Sequence, residues 1–286
     1  MIGITSYGAY IPRYRLNRMM IYNAIGWMAS GNISLSKGEK AVAGFDEDSV
    51  TMAVGAGIDA LKGLNRENFD AVNFASTCMP FKERLNAGII KEALGLKDQI
   101  AVSDFSSGIK AGTTAVLHAI DAVTSGRSKN TLVCASDIRL GKPGSAQEMI
   151  FGDAAAALTI GSENVIAECI GSYCTAHDFV DHYRGEFAKF DRQWEDRWIR
   201  DSGITQLIPE AINGFLESNN MQIGDFSKVV YPCHYAAARR QLNKQFGIAP
   251  EAEQNNLQTE IGESGTSHAV LMLVKALEEA KPGDKI

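Results

Sequence analysis

The run from Ser103 to Thr113 offers the plainest opportunity for chemistry in this chain. An apolar Ile100-Ala101-Val102 leads into it, and the periodic Thr114-Ala115-Val116-Leu117-His118-Ala119-Ile120 follows. That order predicts a strand, a tight turn and a helix whose first turn is almost free of bulk. Such a helix can be buried with its amides and positive end aimed at a ligand or nucleophile. Ser106 and Ser107 lie on the turn, but a serine nucleophile needs an adjacent base, and small residues that permit tight packing are the expected reading. Cys78 is expected to be a buried apolar cysteine. Cys233 and His234 are neighbours on a strand, so they face opposite sides and form no dyad. His234 with Glu263 is the pair that could do acid–base work, since a carboxylate beside an imidazole holds its tautomer and raises its basicity. His234 kept for packing is the alternative. His268 reads as core. Cys169, Cys174, His177 and His182 do not have the spacing of a common zinc knuckle, and no metal site is expected.

An internal repeat supplies the elements that must position these groups. Asn68–Thr77 matches Gly224–His234, with Phe69 opposite Phe226, Val72 opposite Val229, Phe74 opposite Tyr231 and Thr77 opposite His234. An amphipathic helix precedes each copy, over 49–64 and 205–216. Another follows, over 85–94 and 236–246, each closed by Gly plus an aliphatic residue as a C-cap signal. Each copy then delivers a small-residue helix start, at Ala111-Gly112-Thr113 and Ser264-Gly265-Thr266. Two similar α/β halves are expected: 1–165, and 166–286 carrying an insertion over 173–200. After its buried helix the first copy continues into the apolar strands 131–136 and 151–160. The second copy reaches Lys281-Pro282-Gly283-Asp284-Lys285-Ile286 where its matching strand should begin. The second half is therefore expected to lack its last two strands, truncated here or supplied by another polypeptide.

Composition narrows the function classes. Twenty-eight basic residues against 34 acidic ones, spread rather than clustered, argue against nucleic acid. Five cysteines without close pairing suit a reducing compartment. No secretory signal, no membrane-length apolar run and no glycine-rich phosphate motif after a strand is present, so a cytoplasmic protein without a nucleotide cofactor is expected.

The motifs taken together resemble the thiolase superfamily. Besides the Asp104–Gly112 turn they include Gly8-Ala9-Tyr10-Ile11-Pro12, Gly44-Phe45-Asp46-Glu47-Asp48, Lys142-Pro143-Gly144-Ser145, Phe151-Gly152-Asp153 and the aromatic, charged Phe190–Trp198. The likeness is to hydroxymethylglutaryl-CoA synthases of the archaeal type and to β-ketoacyl-ACP synthase III, and it covers essentially the whole chain. It implies a thiolase-like α/β fold, C–C bond-forming acyltransferase chemistry and CoA or acyl-CoA as ligand. In that family a cysteine begins the buried helix, a glutamate acts as acid and base, a histidine activates or orients, and an asparagine helps hold the thioester oxygen. The matching positions here are Ile109, Thr77, His234 and Glu263, the last lying in Gly262-Glu263-Ser264-Gly265.

Three of those four positions depart from the family pattern. No environment activates an alkyl side chain as a nucleophile. Loss of a general acid/base costs about 10²–10⁴ in rate. An ionised Glu263 about 4 Å from a developing oxyanion would add roughly 4 kcal/mol of repulsion at an effective dielectric near 20. The expected function is a non-catalytic or partner-dependent subunit that binds acyl-CoA or an acyl-carrier protein, with no covalently bound cofactor. The alternative is an enzyme acting on acyl-CoA thioesters through His234 and Glu263 or a partner's nucleophile. The resemblance also implies a homodimer, or a hetero-oligomer with a thiolase-like or zinc-ribbon/OB-fold subunit.

Overall fold

The computed structural model describes residues 1–286, which divide into two compact units. The first comprises 1–169 and 257–274, the second 170–256 and 275–286. Residues 257–274 thus fold with the N-terminal half although they follow the second copy of the repeat.

Along the first unit run β1 (Gly3–Tyr10), β2 (Tyr14–Asn17), α1 (Arg18–Ile25), β3 (Glu39–Val42), α2 (Ser49–Ala60), β4 (Ala71–Ala75), α3 (Asn86–Ala93) and β5 (Ala101–Phe105). Then come α4 (Ala111–Thr124), β6 (Asn130–Asp137), α5 (Ala146–Ile150), β7 (Ala154–Gly161) and the two-residue β8 (Ala167–Glu168). Six strands form one sheet in the order β5-β4-β6-β7-β1-β8, and β2 pairs with β3. β4 runs parallel to β5 and β6, whereas β6, β7 and β1 pair antiparallel in turn.

Burial follows from this layering. β4 and β7 are buried at every residue, as strands covered on both faces should be. Val72, Phe74, Leu132, Cys134, Ala155 and Ala157 pack with Ala53, Ala56, Ile90 and Leu94 of α2 and α3. Side chains alternate across a strand, so Asn73 points the other way and donates from Nδ2 to the Ala115 carbonyl of α4 at 3.2 Å. The helix α2 begins in a capping box: Thr51 N donates to Asp48 Oδ1 at 2.8 Å, and Asp48 N to Thr51 Oγ1 at 2.7 Å.

The second unit holds the ribbon β9 (His182–Tyr183) and β10 (Arg192–Gln193), a helical turn α6 (Asp196–Trp198), α7 (Thr205–Ser218) and α8 (Ala236–Phe246). A last helix, α9 (His268–Glu279), begins in the first unit. The 173–200 insertion is ordered by pairing: Phe179 stacks on Trp198 at 4.1 Å, and Arg184 bridges to Asp191 at 3.0 Å.

The repeat reappears in individual hydrogen bonds. Asp70 N donates to Asn130 O at 3.0 Å, and Ser227 N, which follows Phe226 as Asp70 follows Phe69, donates to Lys285 O at 2.8 Å. Beyond that point the copies differ. β4 has a full strand on each side, while 229–231 has only the bridge between Val229 and Glu253. The second half lacks counterparts of β6 and β7, as its sequence predicts. No helix is long and apolar enough to cross a membrane.

Candidate functional site

The expected turn forms between β5 and α4. Ser107 takes a left-handed φ of 73°, Ala111 N closes the turn on Gly108 O at 3.0 Å, and Lys110 gives α4 no side-chain cap. Ile109 is half-buried at the entry to the helix, and Ser106 and Ser107 are exposed. Gly112 lies so close to the Thr266 carbonyl that a Cβ there would overlap it. Asp104 anchors the neighbouring helix, its carboxylate accepting Asn86 N at 2.8 Å and Ala87 N at 2.7 Å at the start of α3.

Thr77 leaves the end of β4 beside a buried carboxyl group that sequence reasoning misses. Asp137 Oδ1 accepts from Thr77 N at 2.7 Å, Thr77 Oγ1 at 3.0 Å and Ser76 Oγ at 3.0 Å, and Oδ2 accepts from Thr266 N at 2.8 Å. Burial raises the Asp137 pKa, and the Thr266 amide and the Arg139 charge oppose that rise. Its one sequence signal is its place at the polar end of the apolar 131–136 run.

Glu263 sits in the same unit, with both oxygens engaged. Oε2 pairs with Arg139 Nη1 at 2.6 Å, and Oε1 accepts from Gly265 N at 2.8 Å. The Arg139 guanidinium lies over the Phe151 ring at 3.9 Å. Nothing in the sequence spacing links Arg139 to Glu263, 124 residues away; the fold alone brings them together. The remaining amides of the turn are also taken, with Ser264 N directed to His268 Nδ1 at 3.3 Å and Thr266 N to Asp137. His268 is buried, and its Nε2 lies 3.3 Å from Gln258 Nε2.

His234 belongs to the second unit, where it is exposed and its ring lies 4.2 Å from that of Tyr235. Cys233 is buried, which raises its pKa, and its carbonyl accepts from Asn256 Nδ2 at 3.2 Å. Cys78 is half-buried, with its Sγ 3.6 Å from Thr77 Oγ1. Of the spaced cysteines and histidines, Cys169 and Cys174 are exposed, His177 pairs with Glu210 and His182 with Asp181. The Phe151-Gly152-Asp153 motif is a packing device: Gly152 leaves room for the Ile261 carbonyl, and Asp153 Oδ2 accepts Ala43 N at 2.9 Å. Burial pushes the Asp153 carboxyl up to about 6.

Comparison with known proteins places this architecture. No family profile matches the chain. Hydroxymethylglutaryl-CoA synthase of Caldivirga maquilingensis is 32% identical over 290 residues, covering 100% of this chain and 82% of the relative. That of Aeropyrum pernix is also 32% identical, over 99% of this chain and 80% of the relative. Among solved structures, a hydroxymethylglutaryl-CoA synthase complexed with CoA superposes with a TM-score of 0.84 at 17% identity, covering 98% of this chain and 75% of the other. OleA of Xanthomonas campestris gives 0.86 at 16%, over 99% and 93%. 3-Oxoacyl-(acyl carrier protein) synthase III of Pseudomonas aeruginosa gives 0.82 at 18%, over 97% and 90%. The fold, with its strand–turn–buried-helix unit, is that of the thiolase superfamily. Within it the chain belongs to the hydroxymethylglutaryl-CoA synthase family, as its 32% identity to these two relatives over 80–82% of their length shows.

Proposed function

We propose that this chain is an acyl-CoA- or acyl-carrier-binding member of its family that forms no acyl-enzyme, acting as a non-catalytic or partner-dependent subunit. One observation carries this reading. The α4 entry, where the family resemblance puts the nucleophilic cysteine, presents Ile109, and an alkyl group cannot form a thioester. The facing turn supports it, because the position that the resemblance gives to the oxygen-holding asparagine is Glu263, an acceptor whose two oxygens are taken by Arg139 and Gly265 N. A preorganised oxyanion site needs donors free to point at the developing charge, and losing one typically costs about 3–4 kcal/mol. CoA as ligand rests on the related synthase solved with CoA. Assembly through β5 fits its position as an outer strand of the sheet, with one edge unpaired.

The deciding measurement is intact mass after incubation with acetyl-CoA: the mass should stay unchanged, and a stoichiometric acetyl adduct would refute the proposal. The second reading, an acyl-CoA enzyme using His234 and Glu263 or a partner's nucleophile, is weakened by the engagement of both Glu263 oxygens. A guanidinium-paired carboxylate is a poor base. If any turnover of an acyl-CoA is found, His234→Ala should abolish it on that reading.

A further inference from the structure

The first 38 residues hold four basic side chains, Arg13, Arg15, Arg18 and Lys37, and no acidic one, in a chain whose net charge is −6. Within this segment α1 rests on the protein by one face only. Ile21 packs with Met149, Ile150 and Phe151, flanked by Tyr22 and Ile25. The opposite face presents Met19, Met20, Asn23 and Ala24, all exposed, and Trp27 in the 3₁₀ turn Gly26–Met28 continues it at helical spacing. A helix on a protein surface ordinarily turns charged side chains outward. This one turns none, because its one basic residue, Arg18, is buried and donates to the Gln258 carbonyl. Trp27 is 83% exposed and Met20 65%.

Unpaired cations border this apolar face. Lys37 precedes Gly38, whose carbonyl accepts from Arg18 N at the start of α1 at 3.0 Å. Met28 lies against Gly144, and Asn32 Nδ2 donates to the Gly144 carbonyl at 3.1 Å. These contacts seat the 142–145 loop, with its exposed Lys142, beside the turn. Arg13 is exposed just before β2. The side chains of Arg13, Lys37 and Lys142 enter no ion pair or hydrogen bond. The neighbouring carboxylates are occupied, Glu39 by Arg15 at 3.6 Å and Glu148 by Gly144 N at 2.8 Å.

We propose that this face seats the chain on an anionic lipid surface, lying in the headgroup layer without crossing it. Trp27 and the exposed methionines enter the boundary between headgroups and acyl chains, where an amphipathic indole is favoured. Arg13, Lys37 and Lys142 meet the lipid phosphates. Charge complementarity selects this occupant: a chain of net charge −6 is repelled by such a surface except where an acid-free face meets it, so the contact is oriented. A partner protein fits less well, since lysine is depleted at protein interfaces. Ile109, Thr77 and Glu263 take no part, so the proposal stands apart from the acyl-CoA reading.

The test is co-sedimentation of the full chain with phosphatidylcholine vesicles containing roughly 30% phosphatidylserine, against phosphatidylcholine alone, at about 0.1 M salt. The anionic vesicles should bind at least about tenfold more tightly than the neutral ones, and about 1 M salt should release the chain. Lys37→Gln with Lys142→Gln should weaken binding about 25-fold, at about fivefold for each basic side chain near an anionic surface. Trp27→Ser, at an exposed position where folding is not at stake, should weaken it about tenfold. Tryptophan emission should shift to the blue on anionic vesicles, and Trp27→Phe should remove that shift although Trp194 and Trp198 remain. No pelleting with anionic vesicles, equal pelleting with neutral ones, or indifference to the lysine or the tryptophan variants would each overturn the proposal. So would a dimer in sedimentation velocity that Trp27→Ser dissociates, because a second copy would then cover this face.

Discussion

Arg139 and Glu263 form a buried ion pair, so removing one partner strands the other in a low-dielectric site. Arg139→Ala should lower unfolding stability by about 3–5 kcal/mol in urea titrations, and adding Glu263→Gln should recover part of that loss. An unchanged midpoint for the single variant would mean the pair is solvated. Asp153 makes a pH-dependent prediction. Its folded pKa lies near 6, above the ordinary aspartate value of 3.8. A raised carboxyl pKa contributes stability below the unfolded value, and that contribution is lost as pH rises through the folded one. Stability relative to Asp153→Asn should therefore fall between about pH 4 and pH 6, by up to about 3 kcal/mol. Denaturant melts at about pH 4.5 and 7.5 check this, and parallel profiles for the two proteins would contradict it.

At the scale of elements, two helical glycines make a controlled comparison. A methyl at Gly112 would overlap the Thr266 backbone carbonyl, whereas at Gly88 in α3 the nearest atom would be 4.0 Å away. Gly112→Ala should destabilise by about 1–3 kcal/mol through overpacking, and Gly88→Ala should stabilise by about 0.5–1 kcal/mol through helix propensity. Thermal melts that move both variants in one direction would reject this account of why α4 starts with small residues. Helices are legible because apolar spacing is local: α8 spans 236–246 as its periodicity predicts, and α2 ends at Ala60, four residues before the periodic segment does. The strand expected over 224–234 is less legible. Its pattern is apolar, but a strand needs a ladder, and only Ala252 and Gln254 bond to Val229, while Lys285 reaches the strand's start at Ser227.

For the whole molecule, Glu263 in the asparagine position, paired with Arg139, predicts that Ile109→Cys alone will not restore acylation by acetyl-CoA, as read by intact mass. Restoring the thiol does not free an oxyanion donor. Stoichiometric acetylation of that variant would show that the framework is still catalytically competent. The units should also differ in hydrogen exchange. Amides of β6 and β7, central in a six-stranded sheet, should be the slowest, and those of 170–195, with only two-residue strands, the fastest. Comparable protection in both would contradict that order.

The repeat, the α/β class, the family likeness and the side chain at the α4 entry were all readable from residue order, because each depends on local pattern or residue type. What surrounds that entry emerged only in the folded chain. Asp137 under Thr77, Arg139 on Glu263 and the Thr266 carbonyl against Gly112 join segments 60 to 154 residues apart. Spacing along a chain carries no record of such pairings, because buried charges and orphan amides choose partners by proximity in the folded core.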